Sequence, residues 1–316
     1  MIKKTIFRLI ILLLIISSCN ESKKHQANEA LIFYPNGKIK HSYKYSVHFK
    51  DTIMNGKYQS FYNNGKLSVE GNFKNGLQTG IYKSYHENGQ LSSIGNYIND
   101  KAEGEFKRYH ENGMLADVSV FKNGKVEGDH KEYYKTGKLG FEGKLKSGIL
   151  NGICKRYYEN GKLSSVSNFN NGKEEGECKW YYENGRLSFV GTFRNGTLNG
   201  ISRGYYENGK LSIEADYVNG LLFNVILSKD KTGSKQYIGS FKNGTGTHYK
   251  YHENGMLMEK KTYNAQRLIK VESSQDENKK PRSSGSLLNG TGVYFQYDNK
   301  GNVVKINYIN GFEIKK

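Results

Sequence analysis

The stretch RYYENGKLSSVSNFNNGKEEG at residues 156–176 returns at 180–200 as WYYENGRLSFVGTFRNGTLNG. That spacing constrains the fold more than any other feature of the chain. An Asn-Gly pair or its equivalent stands at Asn64-Gly65, Asn88-Gly89, Asn112-Gly113, Thr136-Gly137, Asn160-Gly161, Asn184-Gly185 and Asn208-Gly209, each 24 residues after the last. A second series follows about eleven residues behind, at Asn75-Gly76, Asn99-Asp100, Asn123-Gly124, Ser147-Gly148, Asn171-Gly172, Asn195-Gly196 and Asn219-Gly220. Asn-Gly is a strong hairpin signal because both residues tolerate positive φ. The runs between turns are short and rich in Tyr, Phe, Val and Ser, which predicts strands. The expected fold class is therefore all-β: an elongated, single-layer antiparallel β-meander built from tandem 24-residue hairpin repeats. Each unit buries little alone, so stability comes from stacking neighbours. Nine or ten units at about 9.6 Å each would form a ribbon of roughly 90–100 Å. The L-x-x-L-x-L-x-x-N pattern of leucine-rich repeats is absent.

Columns of the repeat assign its faces. One column holds Leu67, Leu91, Leu115, Leu139, Leu163, Leu187 and Leu211, and six residues on stand Phe73, Tyr97, Phe121, Leu145, Phe169, Phe193 and Tyr217. Between them lies a small residue: Gly71, Gly95, Ser119, Gly143, Ser167, Gly191 and Ala215. A missing side chain there makes room for a ring from a neighbouring strand. The expected donor is the column Phe61, Tyr85, Tyr109, Tyr133, Tyr157, Tyr181 and Tyr205. A two-residue turn at Asn160-Gly161 would pair Tyr158 with Leu163. A three-residue turn with glycine as a bulge pairs Tyr157 with Leu163 instead, and this second geometry is expected because it joins the two most uniform columns.

The chain begins with Lys3, Lys4 and Arg8 around an apolar run at 9–16, followed by Ser17, Ser18 and Cys19. These are the parts of a secretory signal peptide, residues 1–18. The run is too short to cross roughly 30 Å of hydrocarbon as a permanent helix. Ile16-Ser17-Ser18-Cys19 resembles the lipobox of bacterial lipoproteins, which implies lipidation of Cys19, cleavage before it and acylation of the new amino terminus. Residues 19–30 then read as a lipidated cysteine and a polar tether, 31–225 as the regular repeats and 226–316 as degenerate C-terminal repeats. Within the last part, a polar insertion at about 264–286, centred on ESSQDENKKPRSS at 272–284, is expected to be a mobile loop. The expected location is the cell envelope, membrane-anchored by N-terminal lipid.

Loss of Lys3, Lys4 and Arg8 with the leader takes the net charge from +18 to +15. The lysines are spread along the repeats without a concentrated block. Export together with this spread argues against a nucleic-acid partner, and solvated strand faces account for most of the charge. Cys154 and Cys178 occupy one column of adjacent units, two strands or about 9.6 Å apart. A disulfide needs α-carbons within about 6.8 Å, so free thiols are expected.

His86, His110 and His252 replace the second tyrosine of Y-Y-E-N-G and lie too far apart to share a metal. Glu87, Glu111, Glu159, Glu183, Glu207 and Glu253 stand opposite a lysine or its equivalent, which predicts cross-strand charge pairs. No G-x-S-x-G, H-E-x-x-H or Walker motif occurs. The polar residues repeat instead of converging, so no enzyme, no cofactor, no metal and no small-molecule substrate is expected.

The motif Y-Y-E-N-G-K-L followed by F-x-N-G-K-x-x-G, as at 157–163 and 169–176, resembles MORN-type repeats. It is closest to the bacterial variant in proteins labelled YwqK-family antitoxins. The resemblance covers about 31–311 and implies a protein partner, a toxin being one candidate. Tyrosine supplies broad amphipathic contact area. The expected binding residues are accordingly Tyr85, Tyr109, Tyr133, Tyr157, Tyr181 and Tyr205. Association of the basic, tyrosine-rich sheet with anionic lipid or surface polysaccharide is the alternative.

Overall fold

The structure is a computed structural model and describes residues 28–48, 51–298 and 301–314. The stretch read as a signal peptide, Cys19 and most of the stretch read as a tether lie outside the described residues. The first strand, Asn28–Phe33, begins inside the stretch read as tether.

Among the described residues every regular element is a strand. From Asn28–Phe33 to Leu221–Ser228 they form one 20-stranded antiparallel meander that does not close on itself. In it the short pieces Ile149–Leu150, Lys173–Glu174 and Thr197–Leu198 pair with the same preceding strand as the longer piece that follows each. Two three-stranded sheets follow, beginning at Gly246–Tyr251 and Gly292–Tyr297.

The two turn series differ in kind. In the second series both residues sit at positive φ, as at Asn171 (48°) and Gly172 (78°), and the flanking Asn170 and Lys173 pair directly. This is the two-residue type I′ hairpin. In the first series only the glycine is left-handed, as at Gly161 (87°). Gly161 N–H donates to the Tyr158 carbonyl, and Tyr158 N–H to the Lys162 carbonyl, both at 2.8 Å. That is a glycine bulge, and Tyr157 stands opposite Leu163 as expected.

The face assignment of the tyrosines differs from the expectation. Between Arg156 and Tyr157 the ladder slips once more, leaving Ser164 as an extra residue, so Arg156 pairs with Ser165 and Cys154 with Ser167. Cys154 and Tyr157 are three positions apart on one strand and therefore point to opposite faces. The small column receives the residue directly across from it: Tyr58 opposite Gly71, Tyr82 opposite Gly95 and Cys178 opposite Gly191. A Cβ on Gly95 would lie inside the Phe106 ring, which covers it from the following strand. The rings on this packed face meet edge to face, with Tyr97 5.5 Å from Phe106 and Phe106 5.2 Å from Phe121. Cys154 and Cys178 are buried here as free thiols, as expected.

The C-terminal segment also differs from its reading as a polar insertion. It holds the strand Arg267–Ser274 and then a turn with the same bonds as the others: Lys279 N–H to Asp276 O and Asp276 N–H to Lys280 O, both at 3.0 Å. Asp276-Glu277-Asn278-Lys279-Lys280 is Y-E-N-G-K with aspartate for tyrosine and lysine for glycine, and Lys279 takes the glycine's φ of 66°. Isolated bridges at Lys229–Lys235, Gly239–His248 and Lys242–Thr245 recur 46 residues later at Gln275–Pro281, Gly285–Tyr294 and Leu288–Thr291. The last four units are thus two copies of a two-unit block.

Candidate binding faces

Both edges of the ribbon are laddered from unit to unit. On the first-turn edge, the ring following each expected binding tyrosine donates to the carbonyl of the residue 24 positions after that tyrosine, which is the next tyrosine of the column except for Lys229, the acceptor of Tyr206. Tyr62 donates to Tyr85, Tyr134 to Tyr157 and Tyr182 to Tyr205, each at 2.6 Å. His86 and His110 make the same bond through Nε2 to Tyr109 at 2.8 Å and Tyr133 at 2.9 Å. A carbonyl only accepts, so Nε2 carries the hydrogen in both. The histidines are rungs of a ladder, chosen as flat donors of the right reach. The asparagine of each turn adds a second rung: Asn88 Nδ2 donates to Glu111 O at 2.7 Å, while its Oδ1 accepts from Gln90 N–H at 2.9 Å.

The expected charge pairs of the turn glutamates form differently. Among the described residues only Glu253 of that set is in an ion pair, with Lys231 of the preceding turn at 2.6 Å. The turn lysines reach along the stack instead, as Lys162 Nζ does to Asn184 O at 2.9 Å. Carbonyls left unpaired by the neighbouring turn draw them there.

The second-turn edge is laddered mainly through backbone, with side chains such as Glu127, which accepts from Ser147 N–H at 2.7 Å, adding to it. Gly76 N–H donates to Met54 O at 2.8 Å, Gly124 to Ala102 and Gly220 to Leu198, and the series runs on through Gly244 to Phe223, Gln266 to Gly244 and Gly311 to Gly290. The four C-terminal units therefore stay in the same stack although the strand ladder breaks between them.

All six expected binding tyrosines are half-buried on the face opposite the packed one. They share it with Lys83, Lys107, Lys131, Lys155, Lys179 and Arg203. Tyr85 donates to Glu70 at 2.8 Å and Tyr157 to Glu142 at 2.7 Å. Burial first, then the carboxylate beside each, pushes both phenols up to about 12. The hydrogen bond from Tyr157, then Lys155, holds Glu142 below the usual carboxylate range against the opposing effect of burial. Ion pairs at 3.6 Å between Lys83 and Glu70, 2.7 Å between Lys107 and Glu105 and 2.6 Å between Lys179 and Glu177 balance much of the cationic column.

The packed face contains, next to the first-turn edge, a stripe that changes from unit to unit. Successive units there carry Ser84, Arg108, Glu132, Arg156, Trp180 and Gly204, and the column directly opposite carries Ser93, Asp117, Phe141, Ser165, Phe189 and Ile213. The sequence reading passed over these residues because it sought uniform columns. Variation inside an otherwise uniform array was the signal that could have found them.

A family model described as "MORN repeat variant" matches residues 54–75, 78–99, 102–123, 150–171, 174–195, 198–219 and 245–265. The chain carries seven MORN-variant repeats. The unit at 125–148 lies in register between matched MORN repeats and makes the same Tyr134 rung, although its turn reads Lys135-Thr136-Gly137. No curated protein matches the chain. A solved structure described as "Crystal Structure of TcdB2-TccC3-Cdc42" shows 10% identity and a TM-score of 0.17, covering 89% of this chain and 17% of that one. The chain thus spans about a sixth of that chain's length, and at this TM-score the likeness carries no argument. Among the described residues no helix is long and apolar enough to cross a membrane.

Proposed function

We propose that the protein is a non-catalytic scaffold that binds another protein through its MORN-repeat ribbon. One observation carries this reading. The tyrosine and histidine rungs that tie the units together recur along the ribbon, whereas the stripe through Arg108, Arg156 and Trp180 changes at every step and supplies none of those rungs. Trp180 is 41% exposed, and Trp and Arg are the side chains that dominate protein–protein binding energy. The sequence features at 1–19 support tethering at the envelope by lipid on Cys19. The antitoxin resemblance supports a toxin domain as the partner to be neutralised.

Photo-crosslinking in intact cells tests the reading. A benzophenone side chain at Arg108, on the stripe, is expected to give one adduct of discrete mass. The same probe at Lys131, on the opposite face, is expected to give little. Absence of any adduct at either place, with the protein expressed and folded, contradicts a protein-binding scaffold.

A second reading has its own observation. The second-turn edge exposes Lys101, Lys122, Lys125, Lys146, Lys173 and Arg194 beside Leu77, Ile149 and Leu221, which are 40%, 51% and 46% exposed. Cations next to aliphatic side chains suit an anionic lipid surface. Binding to phosphatidylglycerol vesicles that weakens as salt rises would favour it, and indifference to ionic strength counts against it.

A further inference from the structure

We propose that Arg156, Ser165 and Trp180 form a receptor for one aromatic side chain of the partner protein. This rests on the scaffold reading above. Ser165 stands in register between the other two, opposite Arg156 on one neighbouring strand and opposite Trp180 on the other. Directly paired residues share a face, so all three project from the same side of the ribbon.

Each flat group is supported from its outer side. The Arg156 guanidinium lies 4.9 Å from the ring centre of Phe141, which is itself buried, 5% exposed. The Trp180 indole stacks on Phe189 at 4.5 Å with 27° between planes. Ser165 lies between their two strands, on the side of each flat group away from its phenylalanine. The backbones of Arg156 and Trp180 are two strand spacings apart, about 9.6 Å, so a ring seated midway between side chains standing upright on them would lie about 4.8 Å from each. That distance falls within the roughly 4.5–7 Å of stacked aromatic pairs and within the about 6 Å reach of a cation over a ring. Among the described residues the Arg156 guanidinium is in no ion pair, and neither the Ser165 hydroxyl nor the indole N–H is in a hydrogen bond. Polar groups are therefore free to meet a phenol hydroxyl.

No other unit has this arrangement. Asp117 occupies the floor between Arg108 and Glu132 and holds Arg108 at 2.5 Å, and Phe141 fills the floor between Glu132 and Arg156. Phe189 likewise fills the floor between Trp180 and Gly204. A sugar could stack on the indole and accept hydrogen bonds from the guanidinium, but it offers that cation no π face.

Trp180 is the chain's single tryptophan, so its emission reports this site alone. The test titrates the mature protein with blocked Gly-Phe-Gly, using Gly-Ala-Gly, maltohexaose and AMP as the other occupants. Saturable change in Trp180 emission is expected with Gly-Phe-Gly only, at roughly millimolar half-saturation as befits about ten ring and linker atoms. Ser165→Leu fills the floor and is expected to abolish saturation. Leucine should fold there because the same column accepts Phe141 and Phe189. Arg156→Gln keeps the floor open and is expected to weaken binding about fivefold or more. Non-saturating quenching that is equal in Ser165→Leu overturns the proposal, as does preferential saturation by maltohexaose or AMP. If the crosslink at Arg108 persists while this test fails, the ring receptor falls and the scaffold stands. If the crosslink is absent as well, both fall.

Discussion

The Tyr158 hydroxyl donates a 2.6 Å hydrogen bond to the backbone carbonyl of Tyr181 in the next unit. The two rings of Y-Y-E-N-G thus have separate tasks. The first supplies a carbonyl acceptor and covers the lysine-bearing face, and the second donates to the acceptor one unit on. Repetition of the motif is repetition of that donor–acceptor pair.

Replacing Tyr158 by Phe removes one rung and keeps the ring. A loss of about 1 kcal/mol is expected in urea unfolding. Tyr158→His is expected to recover most of it, because histidine makes this bond at His86 and His110. Equal stability of all three variants would remove the ladder from the account.

Lys279 holds a left-handed φ of 66° that eleven-odd other turns give to glycine. A non-glycine residue there costs about 1 kcal/mol or more. Lys279→Gly is expected to stabilise the C-terminal units by roughly that amount, read from their thermal midpoint. Destabilisation would mean that the lysine side chain contributes something its hydrogen bonds do not show.

Gly95→Ala places a methyl inside the Phe106 ring and is expected to cost about 1–3 kcal/mol. Phe106→Cys copies the residue that Cys154 and Cys178 supply in later units. In that background the same Gly95→Ala change is expected to cost far less. Additive effects in the double mutant would contradict direct contact.

His248 is held down to about 4, first by burial and then by Lys261 and Lys250, with Glu259 opposing. A base whose folded-state value is lowered favours unfolding when protonated. Stability is therefore full above about pH 6.5 and lost as pH falls from there toward 4, on the order of 3 kcal/mol in all. His248→Phe should flatten that part of the profile. Unchanged acid sensitivity in the variant would assign the effect elsewhere.

Burial raises both the Cys154 and Cys178 thiols. Neither is expected to react with Ellman's reagent until the chain unfolds, and oxidation should not join them. A two-dalton mass loss reversed by reductant would contradict the assigned register.

Much of the fold was legible in the sequence because the features that specify it are local and repeated. Asn-Gly at fixed spacing fixes the hairpins, and glycine alone in the first series fixes the bulge that sets Tyr157 opposite Leu163. The second slip beside that bulge leaves no residue signature, and with a side-chain period of two a single extra residue, Ser164, was enough to move the tyrosines to the other face. The turn at Asp276 was hidden because lysine stands where the pattern requires glycine. Arg156 and Trp180 escaped for the opposite reason: their meaning lies in being unlike their counterparts, and the buttressing by Phe141 and Phe189 exists only across strands.

The account depends on all units, including the four C-terminal ones, forming one open stack. Small-angle X-ray scattering of the mature body measures this most directly. The stack of twelve first-series turns predicts a rod-like profile with a maximum dimension of roughly 110–120 Å. A compact particle with a radius of gyration of about 20 Å, the value for a globular chain of this length, would contradict it.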